Sequence, residues 1–289
     1  MKKGPTTPKG FRDISPELAK KRRGVIGKIA DVLESFDFVP LETPTLEFAE
    51  TLLGKYGEEE KLIYQFTDRG GRKLALRFDL TIPLARYVAN NLGVVNPTFS
   101  RYQVGQVFRG EKPQKGRWRE FTQLDFDIVG SDSLEEDAKV IAAVIATTRK
   151  VGLNKAKLAV NDRKNFQSLS INDIRAIDKI YKVGKENTKK ELLEFVKKTK
   201  QTEDLRKIFG ILEKTYSLAE GKDYFFDPTL ARGLDYYTGV IFELKPTGKP
   251  EELSIGGGGR YDNLIGMFAG REIPAVGFSF GLDRLIELV

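Results

Sequence analysis

From Val107 to Val129 the chain reads VFRGEKPQKGRWREFTQLDFDIV, and its second half alternates polar and apolar side chains with a period of two. Successive side chains of an extended strand point to opposite faces. Leu124, Phe126 and Ile128 therefore share one face and Gln123, Asp125 and Asp127 the other, one suited to a core and one to a ligand. The strand before the loop delivers Arg109. The connection carries Lys112, Lys115, Arg117 and Arg119 beside the turn residues Pro113 and Gly116. A two-strand arch with a cationic lip suits a polyanion that also presents hydrogen-bonding edges. An ordinary surface hairpin with scattered charge fits this stretch equally well.

A chain of 289 residues can bury a core, either as one large domain or as a domain with an insertion. The 48 Lys and Arg against 41 Asp and Glu leave a formal charge of +7, which favours anionic partners such as nucleotides or nucleic acid. Lysine-rich surfaces also arise without any partner. There is no cysteine and no histidine. This excludes disulfides, zinc thiolates, thiol nucleophiles, imidazole bases and Ser-His-Asp triads. Chemistry is left to carboxylates, tyrosines and arginines, with a hard, oxygen-ligated cation such as Mg2+. No apolar run approaches the roughly 20 residues that span a bilayer. The N-terminus also lacks the apolar core of a signal peptide, so the expectation is a soluble, cytoplasmic protein.

Ser15-Pro16-Glu17 is a helix start, followed by Val25, Ile26, Ile29, Val32, Leu33 and Phe36 at helical spacing. Phe38 to Leu46 is extended and proline-punctuated, as in an edge or interface strand. Two strand-like runs between Leu62 and Thr81 flank the turn Asp68 to Arg72, and Ile82 to Leu92 reads as a helix. Ser133 to Val151 is helical and Lys157 to Val160 a short strand. From Phe166 to Gly221 lysine and glutamate dominate, which predicts a small helical insertion, either a solvated charged face or a surface that touches nucleic acid. The expected division is a core of residues 1–165 and 221–289 with an insertion at 166–220. The glycines 256–259 mark either a turn or backbone pressed against a ligand, and match neither a P-loop nor a dinucleotide fingerprint. In the final helix Leu282, Leu285, Ile286 and Val289 form an apolar stripe. Arg284 lies off that stripe in the first turn, an unfavourable place for a cation unless an anion sits there.

These segments resemble those of a known family along essentially the whole chain. The Arg109 stretch resembles motif 2 of class II aminoacyl-tRNA synthetases, the terminal stretch motif 3, and Glu42-Thr-Pro44 the motif 1 proline of the dimer interface. Leu76-Arg-Phe-Asp-Leu-Thr81, Ala231-Arg-Gly-Leu-Asp-Tyr-Tyr237 and Gly257-Gly-Gly-Arg-Tyr-Asp262 are similar to stretches specific to the histidyl-tRNA synthetase family, and Lys9 to Ile14 also fits. The resemblance implies an α+β fold, an antiparallel sheet flanked by helices, and a homodimer. It also implies that histidine and ATP form histidyl-adenylate, whose histidyl group passes to the 3′ end of tRNA(His).

Carried over position by position, Arg109 would grip the ATP α-phosphate, Arg284 the distal phosphates and Glu111 the adenine end, with Arg117 also on the ATP side. Arg232 would stabilise charge at the α-phosphate and the substrate carboxylate, making Arg109 and Arg232 the catalytic pair. Asp79, Thr81 and Gln123 would hold the α-amino group, Asp127, Tyr237 and Tyr261 would line the imidazole pocket, and Tyr236 would shape its floor. Gln114, Arg117 and Arg119 are the candidates for the tRNA acceptor end. In-line attack at phosphorus is limited by charge and positioning, so fixed guanidiniums and Mg2+ can supply most of the catalysis without a histidine base.

The family normally continues past motif 3 into an anticodon-binding domain, whereas this sequence ends five residues after Arg284. If tRNA is charged, recognition is expected at the acceptor end. The alternative is a histidine-sensing regulatory subunit of ATP phosphoribosyltransferase, which resembles this core. Such a sensor has no reason to keep Arg109, Arg232 and Arg284 together.

Overall fold

The computed structural model describes residues 5–94, 98–113, 116–231 and 236–289. Its strands are β1 (Val39–Pro40), β2 (Leu46–Phe48), β3 (Gln65–Thr67), β4 (Lys73–Leu76), β5 (Phe99–Phe108), β6 (Glu120–Val129), β7 (Lys157–Asp162), β8 (Tyr224–Phe226), β9 (Val240–Lys245), β10 (Gly256–Arg260) and β11 (Ala275–Gly281). Its α-helices are α1 (Pro16–Ser35), α2 (Ala49–Leu52), α3 (Thr81–Asn90), α4 (Leu134–Lys150), α5 (Ile171–Asp178), α6 (Ile180–Val183), α7 (Lys190–Lys198), α8 (Glu203–Tyr216), α9 (Gly266–Ala269) and α10 (Leu282–Leu288). Helix α1 begins where the sequence signals it: Ser15 Oγ accepts from Leu18 N at 3.3 Å and Pro16 fills the first turn.

Eight strands form one sheet in the order β1-β5-β6-β11-β10-β9-β7-β8. Its centre is antiparallel, while the outer pairs β1 with β5 and β7 with β8 run parallel. The proline-marked β1 sits at the edge, where a missing N–H costs least. Strands β5 and β6 are the arch read from the alternation, paired from Phe99↔Val129 to Phe108↔Glu120.

The two faces of this sheet have opposite uses. Leu124, Phe126 and Ile128 join Phe242, Phe278 and Phe280 beneath α1, α4, α8 and α10 in one continuous core. Each such side chain contributes about 1.5–3 kcal/mol on burial. On the other face α3, α5, α7 and the small sheet β2-β4-β3 build a second apolar cluster around a cleft over β6, β10 and β11. Within the Lys- and Glu-rich stretch, α8 turns Leu205, Ile208, Phe209 and Leu212 into the first core, so its charged face is only its outer side.

The glycine run is not a turn. Residues 256–259 lie in β10, held between β9 and β11. A Cβ on Gly258 would lie 2.0 Å from the Gly277 carbonyl oxygen, so these strands approach more closely than a side chain permits. Gly258→Ala is expected to destabilise the fold by about 1–3 kcal/mol through overpacking. Gly24→Ala, in the middle of α1 with nothing within 4 Å of the added Cβ, is expected to stabilise it by about 0.5–1 kcal/mol. Urea unfolding midpoints of the two variants check the opposite signs.

Candidate active site

Both motif-bearing hairpin and terminal helix open onto one cleft with a cavity of about 460 Å3. At its basic end Arg109, just beyond β5, lies with its guanidinium 4.4 Å from the Phe78 ring centre and 5.1 Å from that of Phe121. Its Nε donates to the Phe78 carbonyl at 3.2 Å. Arg284 Nη1 donates to the Ser254 carbonyl at 3.0 Å, and Arg117 pairs with Glu111 at 3.2 Å. Burial, together with the nearby charges of Arg117 and Arg109, pushes the Arg284 pKa below its ordinary value, with Glu111 opposing. Three guanidiniums are thus held close enough to repel one another. A polyphosphate laid among them turns that repulsion into attraction, because arginine forks match phosphate oxygens and stay charged.

Asp283 fixes this end in place. Its Oδ1 receives Arg12 Nη2 at 2.5 Å and Arg22 Nη1 at 2.6 Å, and its Oδ2 accepts from Thr122 N at 2.8 Å. The N-terminal segment, α1, β6 and α10 are thereby tied at one carboxylate. Arg12 also lies 4.5 Å over the Trp118 ring. Arg119, expected at the tRNA-facing lip, donates to the carbonyls of Glu111 at 2.9 Å and Lys9 at 3.3 Å. It braces the hairpin against the N-terminal segment, and Arg117 is the more exposed of the two.

At the other end Asp79 Oδ1 caps α3 by accepting from Thr81 N at 3.1 Å and Ile82 N at 3.0 Å. Gln123 Nε2 donates to Ser279 Oγ at 2.8 Å, while Gln123 Oε1 is buried without a partner. Tyr261 donates its hydroxyl to Asp127 Oδ1 at 2.5 Å, and Asp127 Oδ2 lies 2.6 Å from Nη2 of Arg101, a side chain with no solvent exposure. Gly277 faces Asp127 across β11 and β6, and a Cβ there would meet Asp127 Oδ1 at 1.8 Å. Tyr236 stacks at a tilt on Tyr237, 4.8 Å between ring centres, and edge-on to Tyr261 at 5.9 Å. Burial raises the pKa of Asp79 and Asp127, and burial followed by the Asp127 charge lifts Tyr261 well above its usual range.

The cleft therefore gathers Asp79, Thr81, Arg109, Glu111, Arg117, Gln123, Asp127, Tyr236, Tyr237, Tyr261 and Arg284. Arg232 and Gln114 lie outside the described residues. Sequence reasoning passed over Asp125, Asp283 and Arg101. For Asp125 the signal was present, since the alternation puts it on the ligand face. Asp283 and Arg101 gave none, because their partners lie far along the chain.

Asp125 is 2% exposed, and burial raises its pKa from 3.8 to about 7, with Arg101 opposing and Asp127 reinforcing the shift. The folded protein holds this proton more tightly than the unfolded chain, so ionising it costs stability as pH rises from about 4 to about 7. Asp125→Asn removes that cost. Its thermal midpoint is expected to exceed the parent's above pH 7 and to converge with it as pH falls toward 4, measured by thermal unfolding across that range.

Comparison with known proteins places this geometry. A family model described as histidyl-tRNA synthetase matches residues 10–218 and 167–285. The histidine–tRNA ligase of Aeropyrum pernix is 42% identical over 322 aligned positions, covering 98% of this chain and 74% of that protein. The solved histidyl-tRNA synthetase from Nostoc sp. PCC 7120 superposes with a TM-score of 0.80 at 31% identity, over 99% of this chain and 75% of that one. A structure titled ATP phosphoribosyltransferase regulatory subunit/histidyl-tRNA synthetase, from Bacillus halodurans C, gives 0.82 at 25% identity, over 98% and 82%. With a cleft built on the same hairpin, glycine strand and terminal helix that the matched region spans, the chain belongs to the histidyl-tRNA synthetase family.

Proposed function

We propose that the chain is a histidine–tRNA ligase core that activates histidine with ATP and transfers the histidyl group to the 3′ end of tRNA(His). The observation that carries this reading is the convergence of Arg109, Arg117 and Arg284 at one end of a cleft whose other end is lined by Asp79, Gln123, Asp127 and Tyr261. A histidine carboxylate oxygen attacks the ATP α-phosphorus and pyrophosphate leaves. The 3′-terminal ribose hydroxyl then attacks the acyl carbon of the adenylate, and AMP leaves. Arg109, packed against Phe78 and Phe121, offers its guanidinium to the α-phosphate, and Arg284 holds the departing phosphates. Arg232 complements them from the other side of the α-phosphate by family resemblance. Asp79 and the Gln123 carbonyl oxygen receive the α-ammonium beside Thr81, and Glu111 stands near the adenine end. Arg117 and Gln114 are the acceptor-end contacts.

Mg2+ enters with the nucleotide. No group of three or more acidic ligands that could hold a metal occurs among the described residues, which fits an ion carried mainly by phosphate oxygens and water. When bound it neutralises charge on the phosphates. The helical segment 166–220 is an insertion in the sequence of this core, with α8 packed into the main apolar cluster, and the protein works in the cytoplasm. Among the described residues no helix is long and apolar enough to cross a membrane.

The active form is a homodimer. What supports this is the outer face of the small sheet, where Phe48, Leu74 and Phe66 lie in register and Leu46, Phe48 and Phe66 are 43%, 51% and 44% exposed. Apolar side chains grouped in this way mark an interaction surface. A histidine-sensing regulator is the second reading, favoured by the likeness to the Bacillus halodurans protein. A sensor needs the acidic end of the cleft but not the basic one.

Histidine-dependent exchange of pyrophosphate into ATP is the deciding assay; exchange at background with saturating histidine and Mg2+ promotes the sensor. Arg109→Ala is expected to lower the exchange kcat by about 100-fold or more while histidine affinity changes little, and equal losses in both remove its catalytic role. The double substitution Phe48→Glu with Phe66→Glu is expected to yield monomers in sedimentation, and an undiminished dimer moves the interface elsewhere.

A further inference from the structure

Arg163 holds both stems of the segment that carries Arg232, Tyr236 and Tyr237. Its backbone N–H, just beyond β7, donates to the Gly239 carbonyl at 2.9 Å and prolongs the pairing of β7 with β9, which ends at Asp162↔Val240. Its Nη1 donates to the Ala231 carbonyl at 3.2 Å. Asn161, with no solvent exposure, donates from Nδ2 to the Leu230 carbonyl at 3.0 Å. Leu230 and Ala231 are themselves buried and belong to no strand or helix. Their carbonyls have no ladder to join, so side-chain donors must satisfy them, and a buried carbonyl left bare is costly.

This clamp is itself braced. Asn161 Oδ1 accepts from Asp162 N and from Asn165 Nδ2, both at 2.8 Å, which turns the amide group of Asn161 toward Leu230. Asn165 also donates to the Lys200 carbonyl at 3.3 Å, and Asp162 Oδ2 accepts from Thr202 Oγ1 at 2.7 Å, while Thr202 caps α8. The lysine- and glutamate-rich stretch is thereby fastened to the same short run of residues. On the far stem Thr238 N donates to the Arg260 carbonyl at 2.8 Å, and Thr238 Oγ1 donates to Asp262 Oδ2 at 3.0 Å. Directed contacts gathered at both stems suit a segment whose side chains must meet a reacting group at a fixed distance.

On the reading of Arg232 as the guanidinium that faces the α-phosphate, we propose that Asn161 and Arg163 are positioning residues that act on adenylation through Arg232. Neither lines the cleft. Each fixes the backbone from which Arg232 departs. Misplacing a group that acts in the transition state by about 1 Å costs on the order of 100-fold in rate. Loosening either carbonyl contact therefore lowers kcat, while histidine, received by Asp79, Gln123 and Asp127, still binds.

Pyrophosphate exchange by the full chain and its variants tests this. Arg163→Met removes the Ala231 contact at a half-buried position and leaves the backbone N–H in place. It is expected to lower kcat by about tenfold or more with the KM for histidine within about threefold. Asn161→Asp keeps both acceptor contacts of Oδ1 and removes only the donation to Leu230; the same split is expected, and this variant serves if Arg163→Met does not fold. Each substitution is then repeated in an Arg232→Ala background, where the further loss is expected to be under about twofold, because the group being positioned is already gone. Losses that multiply in that background assign Asn161 and Arg163 a purely structural part and overturn the proposal. So does a kcat within about twofold of the parent's in the single variants. If the parent exchanges well and Arg232→Ala does so equally, the role of Arg232 falls and the proposal with it. Exchange at background in the parent is a different result, which removes the ligase reading itself.

Discussion

Strand β6 drives three polar side chains, Gln123, Asp125 and Asp127, into a place that water hardly reaches, and the rest of the molecule is arranged around the cost of doing so. A buried carboxylate is tolerated only with charge partners and hydrogen bonds. Asp127 has both, from Arg101 and Tyr261. Asp125 is buried beside Asp127, and burial, reinforced by that neighbouring charge and opposed by Arg101 and Ser279, raises its pKa. The opposite face of the same strand buries Leu124, Phe126 and Ile128 in the main core. The strand cannot shift by one residue to relieve its charges without exposing those three. Geometry needed for binding is thus locked by apolar packing on the far side.

A second fastening governs the basic end. Asp283 sits one residue before Arg284 and binds Arg12, Arg22 and Thr122 N together. The arginines gathered at this end, Arg109 and Arg117 from the hairpin and Arg284 from α10, repel one another, so they need a rigid support. Aromatic rings hold Arg109, a backbone carbonyl holds Arg284, and Asp283 ties the elements carrying them. Preorganisation of this kind means that little reorganisation remains to be done when charge shifts in the transition state.

The close approach of β10 and β11 completes the cleft. Gly277 leaves room for the Asp127 carboxylate, and Gly258 lets the two backbones meet. Glycine is costly to order in a strand, and here Gly256, Gly257, Gly258 and Gly277 line the cleft with backbone alone.

Much of this was legible in the chain itself. The alternation fixed which side of β6 faces the core, the Ser15-Pro16 signal fixed the start of α1, and the ordered motifs carried the family and most of the cleft residues. Local patterns suffice for these because strand and helix periodicity are properties of neighbouring residues. The glycine run as an inner strand, the contacts of Arg119, the Asp283 junction and the depth at which Asp125 is buried were decided only by tertiary structure. Each depends on groups brought together from remote positions, such as Arg12 with Asp283 or Arg101 with Asp127, and on how far burial removes them from water. A sequence states which charges exist, but only the fold sets the distances and the dielectric surroundings that determine what those charges do.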